Sequence, residues 1–80
     1  MATKPNHASI YKKVPALLRE LREATGMTQR DLAVKLTREQ YFIARCETGS
    51  RRIDVAEFVA WCTACQTDPK AGLDRLTSGR

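Results

Sequence analysis

Apolar residues along this chain recur at helical spacing in short blocks, and each block is bounded by residues that start or stop a helix. Leu17, Leu18, Leu21 and Ala24 share one face of a segment that predicts a helix over Ala16 to Thr25, with Pro15 in its first turn and Gly26 as a left-handed cap. Thr28 then stands as N-cap with Asp31 three residues on, and Met27 and Leu32 occupy the two positions of a hydrophobic staple. A second helix follows, with Leu32, Ala33 and Leu36 inward and Gln29, Arg30 and Lys35 outward. A third helix, predicted over 39–47, begins only a few residues later and is closed by Gly49. Asp54 with Glu57, stapled by Ile53 and Phe58, predicts a fourth helix ending near Cys65 or Gln66, and Asp68-Pro69 opens a fifth that runs to Leu76.

The third helix has the most informative faces. With Gln40 as origin and a rotation of about 100° per residue, Tyr41, Ala44, Arg45 and Thr48 join it within one side of roughly 140°. Phe42, Ile43, Cys46 and Glu47 take the other side. A helix docked on a core by Phe42, Ile43 and Cys46 turns an amide, a phenol, a small residue and a guanidinium outward. Such groups suit base edges and phosphates.

Outside these blocks, Met1 to His7 is polar and reads as a flexible arm, with Lys4 a candidate groove contact and SIYKKV as a short extra turn of helix. The division is therefore an arm or short turn over 1–14, a helical domain over 15–76 and a tail over 77–80. The predicted fold class is all-α.

Eighty residues make one small domain, too short for an enzyme built around a deep cleft. The formal charge is +5 and the sequence pI about 9.5. Between Arg30 and Arg52, Arg30, Lys35, Arg38, Arg45, Arg51 and Arg52 stand against Asp31, Glu39 and Glu47, which forms a patch for a polyanion. Met1 to Ser9 has no apolar run of the export-signal kind, and no segment approaches the roughly 20 apolar residues of a membrane span, so a cytoplasmic protein is expected. Cys62 and Cys65 form C-x-x-C without a second pair, and the one histidine, His7, is distant. No metal, cofactor or catalytic set is read here. On a helix, Cys62 and Cys65 extend the apolar stripe of Val55, Phe58, Val59 and Trp61, and buried cysteines act as small hydrophobes, whereas a redox pair would need an exposed thiol of lowered pKa.

The stretches LRELREATGMTQRDLA, IARCETG, RRIDVAEF and QTDP together resemble the helix-turn-helix domain of the phage Cro and repressor type, the XRE-like family of bacterial regulators and antitoxins. The resemblance runs from Leu18 to Pro69 without a gap. It implies a compact five-helix, lambda-repressor-like fold in which Gln29 contacts a phosphate and braces Gln40, and Arg22 pairs with Glu47. One place departs from the family. Where its turn carries Gly and a buried aliphatic residue, this chain has Thr37 and Arg38. A β-branched residue in the left-handed region costs about 1–2 kcal/mol, and Thr37 with Gln40 offers a capping box, T-x-x-Q, that starts the third helix early and turns Arg38 toward a phosphate.

The resemblance implies a sequence-specific regulator of bacterial or phage origin, most simply a repressor. Its third helix reads the major groove of double-stranded DNA through Gln40, Tyr41, Ala44, Arg45 and Thr48, while Gln29, Arg30, Arg38, Arg51 and Arg52 meet the backbone. Gln pairs bidentately with adenine and Arg with guanine. So small a reader is expected to act as a homodimer on a palindromic operator, with half-sites roughly 34 Å apart. Helix five, or SIYKKV with Ile10 and Tyr11, is the expected dimer surface. Two other readings stand beside this: an antitoxin-type module with a toxin protein as partner, and a thiol redox protein using Cys62 and Cys65.

Overall fold

The computed structural model describes residues 7–78, and the arm residue Lys4 lies outside them. Five helices, with no strand among the described residues, follow in order: α1 (His7–Ala24), α2 (Gln29–Leu36), α3 (Gln40–Thr48), α4 (Val55–Ala64) and α5 (Pro69–Thr77). The all-α expectation holds. Helix α1 packs on α3 and α5, α2 lies against α3 and α4, and α4 meets α5. At the centre, Trp61, Leu18, Leu32, Ile43, Cys46 and Cys62 are fully buried, and Trp61 Nε1 donates to the Leu18 carbonyl at 3.1 Å, so the indole carries no unsatisfied donor.

Three of the helix starts follow from local chemistry. Thr28 and Asp31 form a reciprocal capping box at α2, and Asp54 and Glu57 form another at α4. The hydrogen bonds from Thr28 hold the Asp31 carboxyl below its ordinary pKa. Asp68 caps α5, where Pro69 fills the first turn. Gly72 lets α5 approach α4 closely, since a Cβ there would stand 2.9 Å from Cys62 Sγ.

Three expectations need correction. Helix α1 does not begin at Pro15 but eight residues earlier, and carries Pro15 in its interior. An interior proline costs about 3 kcal/mol because it removes a backbone donor, and here tertiary contacts offset that. Val14 is buried in the core, and the Tyr11 hydroxyl accepts from the Ile53 N–H at 2.9 Å, tying the added turns to the loop after α3. The T-x-x-Q box does not form. Thr37 takes the left-handed conformation itself (φ 55°, ψ 46°), its neighbour's N–H bonds the Ala33 carbonyl, and α3 starts at Gln40 with no side-chain cap from Glu39. Thr37 thus occupies the family's glycine position, and the Gln40 amide is engaged elsewhere. The apolar stripe expected on α4 is also split. Trp61, Cys62 and Cys65 are core, while Val55 and Val59 are exposed and line an open groove of about 390 Å³ with Tyr11, Phe58 and Leu73.

Candidate nucleic-acid interface

Burial of Phe42, Ile43 and Cys46 fixes the rotation of α3, which leaves Gln40, Tyr41, Ala44, Arg45 and Thr48 on the outer side. Tyr41 is 62% exposed and Arg45 half-buried. These residues form one ridge. Arg45 Nη1 donates to the Tyr41 hydroxyl at 2.7 Å, one helical turn back, and Nε donates to Ser50 Oγ at 3.3 Å. Thr48 also contacts Ser50, its hydroxyl 3.3 Å away. Ser50 was not among the residues picked out from the sequence, and its serine type in a basic loop offered no signal.

The start of α3 is held by a relay whose polarity is set at its buried end. Glu47 accepts from Arg22 Nε at 2.7 Å and from Nη2 at 2.9 Å, and Arg22 Nη1 donates to the Met27 carbonyl at 2.8 Å. The hydrogen bond to Glu47 raises the Arg22 pKa. A carboxylate only accepts, so the Gln29 amide turns its NH₂ to Glu47 (3.1 Å) and its oxygen to Gln40 Nε2 (2.8 Å). The Gln40 oxygen is then left outward. Arg22, Thr28, Gln29, Arg30 and Gln40 line a shallow recess of about 400 Å³ at the N-terminus of α2, and Arg30 is exposed there with no side-chain partner among the described residues. Helix N-termini lined by amides and cations accept phosphate oxygens.

The other arginines are placed differently from the expected row of phosphate contacts. Arg38 Nη1 and Arg51 Nη1 donate to the two oxygens of Glu57, at 3.1 and 2.7 Å, and both guanidinium groups lie over the Phe42 ring, 3.7 and 4.9 Å from its centre. Arg51, the Asp54 N–H and Arg38 together hold the Glu57 carboxyl at about 2. Glu57 was read only as a cap, because its separations of 19 and 6 residues from the two arginines have no helical periodicity to betray them. Arg52 lies over the Tyr11 ring, its guanidinium 4.3 Å from the centre.

All three cysteines are free thiols and all are buried. Burial pushes the Cys62 thiol up and the Cys65 thiol up to about 11. Both trends oppose the exposed, acidic thiol that a redox pair requires. No helix among the described residues is long and apolar enough to cross a membrane.

Known proteins bear on this geometry. A family described as a helix-turn-helix domain matches residues 16–76. Among solved structures, the chain is similar to an XRE-family like protein from Pseudomonas syringae pv. tomato str. DC3000, with 42% identity, 90% of this chain and 88% of that one covered, and a TM-score of 0.83. No curated protein matches. The chain therefore belongs to the XRE-like helix-turn-helix family, whose fold is that of DNA-binding, typically non-enzymatic, transcriptional regulators.

Proposed function

We propose that this protein is a sequence-specific repressor that binds a palindromic operator as a homodimer, in the cytoplasm of a prokaryote, with α3 in the major groove. The observation that carries this reading is the exposed ridge of Gln40, Tyr41, Ala44 and Arg45, braced at its start by Gln29. The outward oxygen and remaining NH₂ hydrogen of Gln40 match the N6 donor and N7 acceptor of adenine. Gln29, Arg30 and the free N–H groups of α2 take one phosphate, Thr48 and Arg52 take others, and Arg38 and Arg51 join them to the extent that Glu57 releases them.

The test is selection of bound duplexes from random DNA, followed by footprinting. A palindromic site protected by the wild type and lost in Gln40→Ala and Arg45→Ala supports the reading. Footprints at wild-type affinity in both variants would show that α3 is not the reading helix.

The open apolar groove favours a second protein surface, and its occupant separates the two leading readings. In the repressor reading, a second copy covers it. In the antitoxin reading, a toxin does. A dimer in sedimentation equilibrium that Val59→Glu and Leu73→Glu dissociate supports the first. A monomer at all concentrations that co-purifies with the product of an adjacent gene supports the second.

A further inference from the structure

Arg45 carries five N–H donors, and two are already engaged, Nε on Ser50 and one Nη1 hydrogen on Tyr41. The backbone pins this arrangement. Gly49 and Arg51, the residues on either side of Ser50, both donate their N–H to the Arg45 carbonyl, at 3.1 and 3.2 Å, and the Thr48 hydroxyl sits 3.3 Å from that of Ser50. Ser50 is thus fixed relative to the last turn of α3. The Tyr41 ring adds a face to the guanidinium, whose carbon lies 5.1 Å from the ring centre. Both oxygens are hydroxyls, so they orient the cation without neutralising it. Three N–H groups remain, one on Nη1 and both on Nη2, enough for an end-on fork. Such a fork needs two adjacent acceptors, and in the major groove guanine supplies them as O6 and N7, whereas adenine sets a donor beside its acceptor.

We infer that Tyr41 and Ser50 are positioning residues that hold Arg45 as a reader of guanine, so that each half-site contains one guanine whose discrimination depends on these two hydroxyl groups. This rests on the DNA reading proposed above. A side chain ordered before contact loses less rotamer freedom on binding, which concentrates the gain at the one base that matches the fork.

The experiment uses the full chain and the duplex enriched by the wild type, with binding read by fluorescence anisotropy. Replacing the candidate guanine by 7-deazaguanine, which lacks the N7 acceptor, lowers wild-type affinity about tenfold. Tyr41→Phe and Ser50→Ala each lower the preference for guanine over the other bases at that position by about three- to tenfold, and Ser50→Thr, which keeps a hydroxyl, retains it. The urea unfolding midpoints of Tyr41→Phe and Ser50→Ala stay at the wild-type value, which separates this loss of preference from a loss of fold. In the Arg45→Ala background, Tyr41→Phe has no further effect. An enriched site without guanine, or full guanine preference in Tyr41→Phe and Ser50→Ala, overturns the inference while the DNA reading stands. Loss in one variant alone overturns the role of the other residue. If the wild type enriches no sequence, the DNA reading falls and this inference with it.

Discussion

Two arginine settings flank α3, and they differ in what holds the guanidinium. On the outer ridge, Arg45 is held by the hydroxyls of Tyr41 and Ser50. Over the Phe42 ring, Arg38 and Arg51 share the carboxylate of Glu57, and the neighbouring Arg22 is locked more deeply by the buried Glu47. A hydroxyl fixes geometry and leaves the charge whole; a carboxylate fixes geometry and offsets one unit of charge, so Arg38 and Arg51 together keep a net +1. An arginine of the first kind keeps its whole charge for an outside partner, whereas Arg38 and Arg51 share one counter-charge and Arg22 is committed to Glu47. Counting basic residues along the sequence treats the two alike.

The contrast can be broken most forcefully at its buried extreme. The Glu47 and Arg22 side chains are only 3% and 10% exposed, so Glu47→Ala strands a cation in the interior. It is expected to lower unfolding stability by about 3–5 kcal/mol, measured by urea denaturation, and to release Gln29 and Gln40 from their set orientation. At the ridge, Arg45→Ala leaves the unfolding midpoint nearly unchanged but removes about 1–3 kcal/mol of discrimination, read as the ratio of operator to random-duplex affinity.

The intermediate setting gives the sharpest test. Glu57→Gln keeps shape while removing the one negative charge that Arg38 and Arg51 share, so affinity for random DNA should rise and the log-log salt slope should steepen by about 0.9 for each phosphate newly engaged. The same carboxylate makes a pH signature. Because its pKa is depressed in the folded protein, its stabilisation is complete above the ordinary carboxylate range and is lost as pH falls through it toward about 2. Glu57→Gln should lack that component of acid unfolding, while a wild-type acid limb identical to that of the variant would show that Glu57 contributes nothing. The smallest expected effect is at the turn. Thr37→Gly relieves a left-handed β-branched residue and should raise stability by at most about 1 kcal/mol, since glycine also loosens the unfolded chain. A shift in urea midpoint at constant slope measures it.

Much of this molecule is written in local signals. The capping boxes at Thr28 and Asp54, the Asp68-Pro69 start, the left-handed caps at Gly26 and Gly49 and the two faces of α3 all follow from rules that span four residues or fewer, or one helical repeat. What could not be read depends on contacts between distant segments. Pro15 marks a helix start by local chemistry, and the bond from Ile53 to Tyr11, 42 residues away, is part of what carries the helix past it. Thr37 is a poor left-handed residue, yet the bonds to the Ala33 and Val34 carbonyls and the use of Gln40 by Gln29 leave that turn favoured. Arg38 and Arg51 read as backbone contacts because Glu57 already had an assigned partner in Asp54. One carboxylate serves all three.

The hydrogen bond between Tyr11 and Ile53 also bears on where this unit begins. The family match starts at residue 16, so a protein trimmed to that boundary would keep every side chain of the α3 ridge yet lose the strut beneath the segment bearing Arg51 and Arg52. Tyr11, which precedes the family match, is an architectural support for the basic loop, and its removal is expected to loosen the segment that carries Arg51 and Arg52.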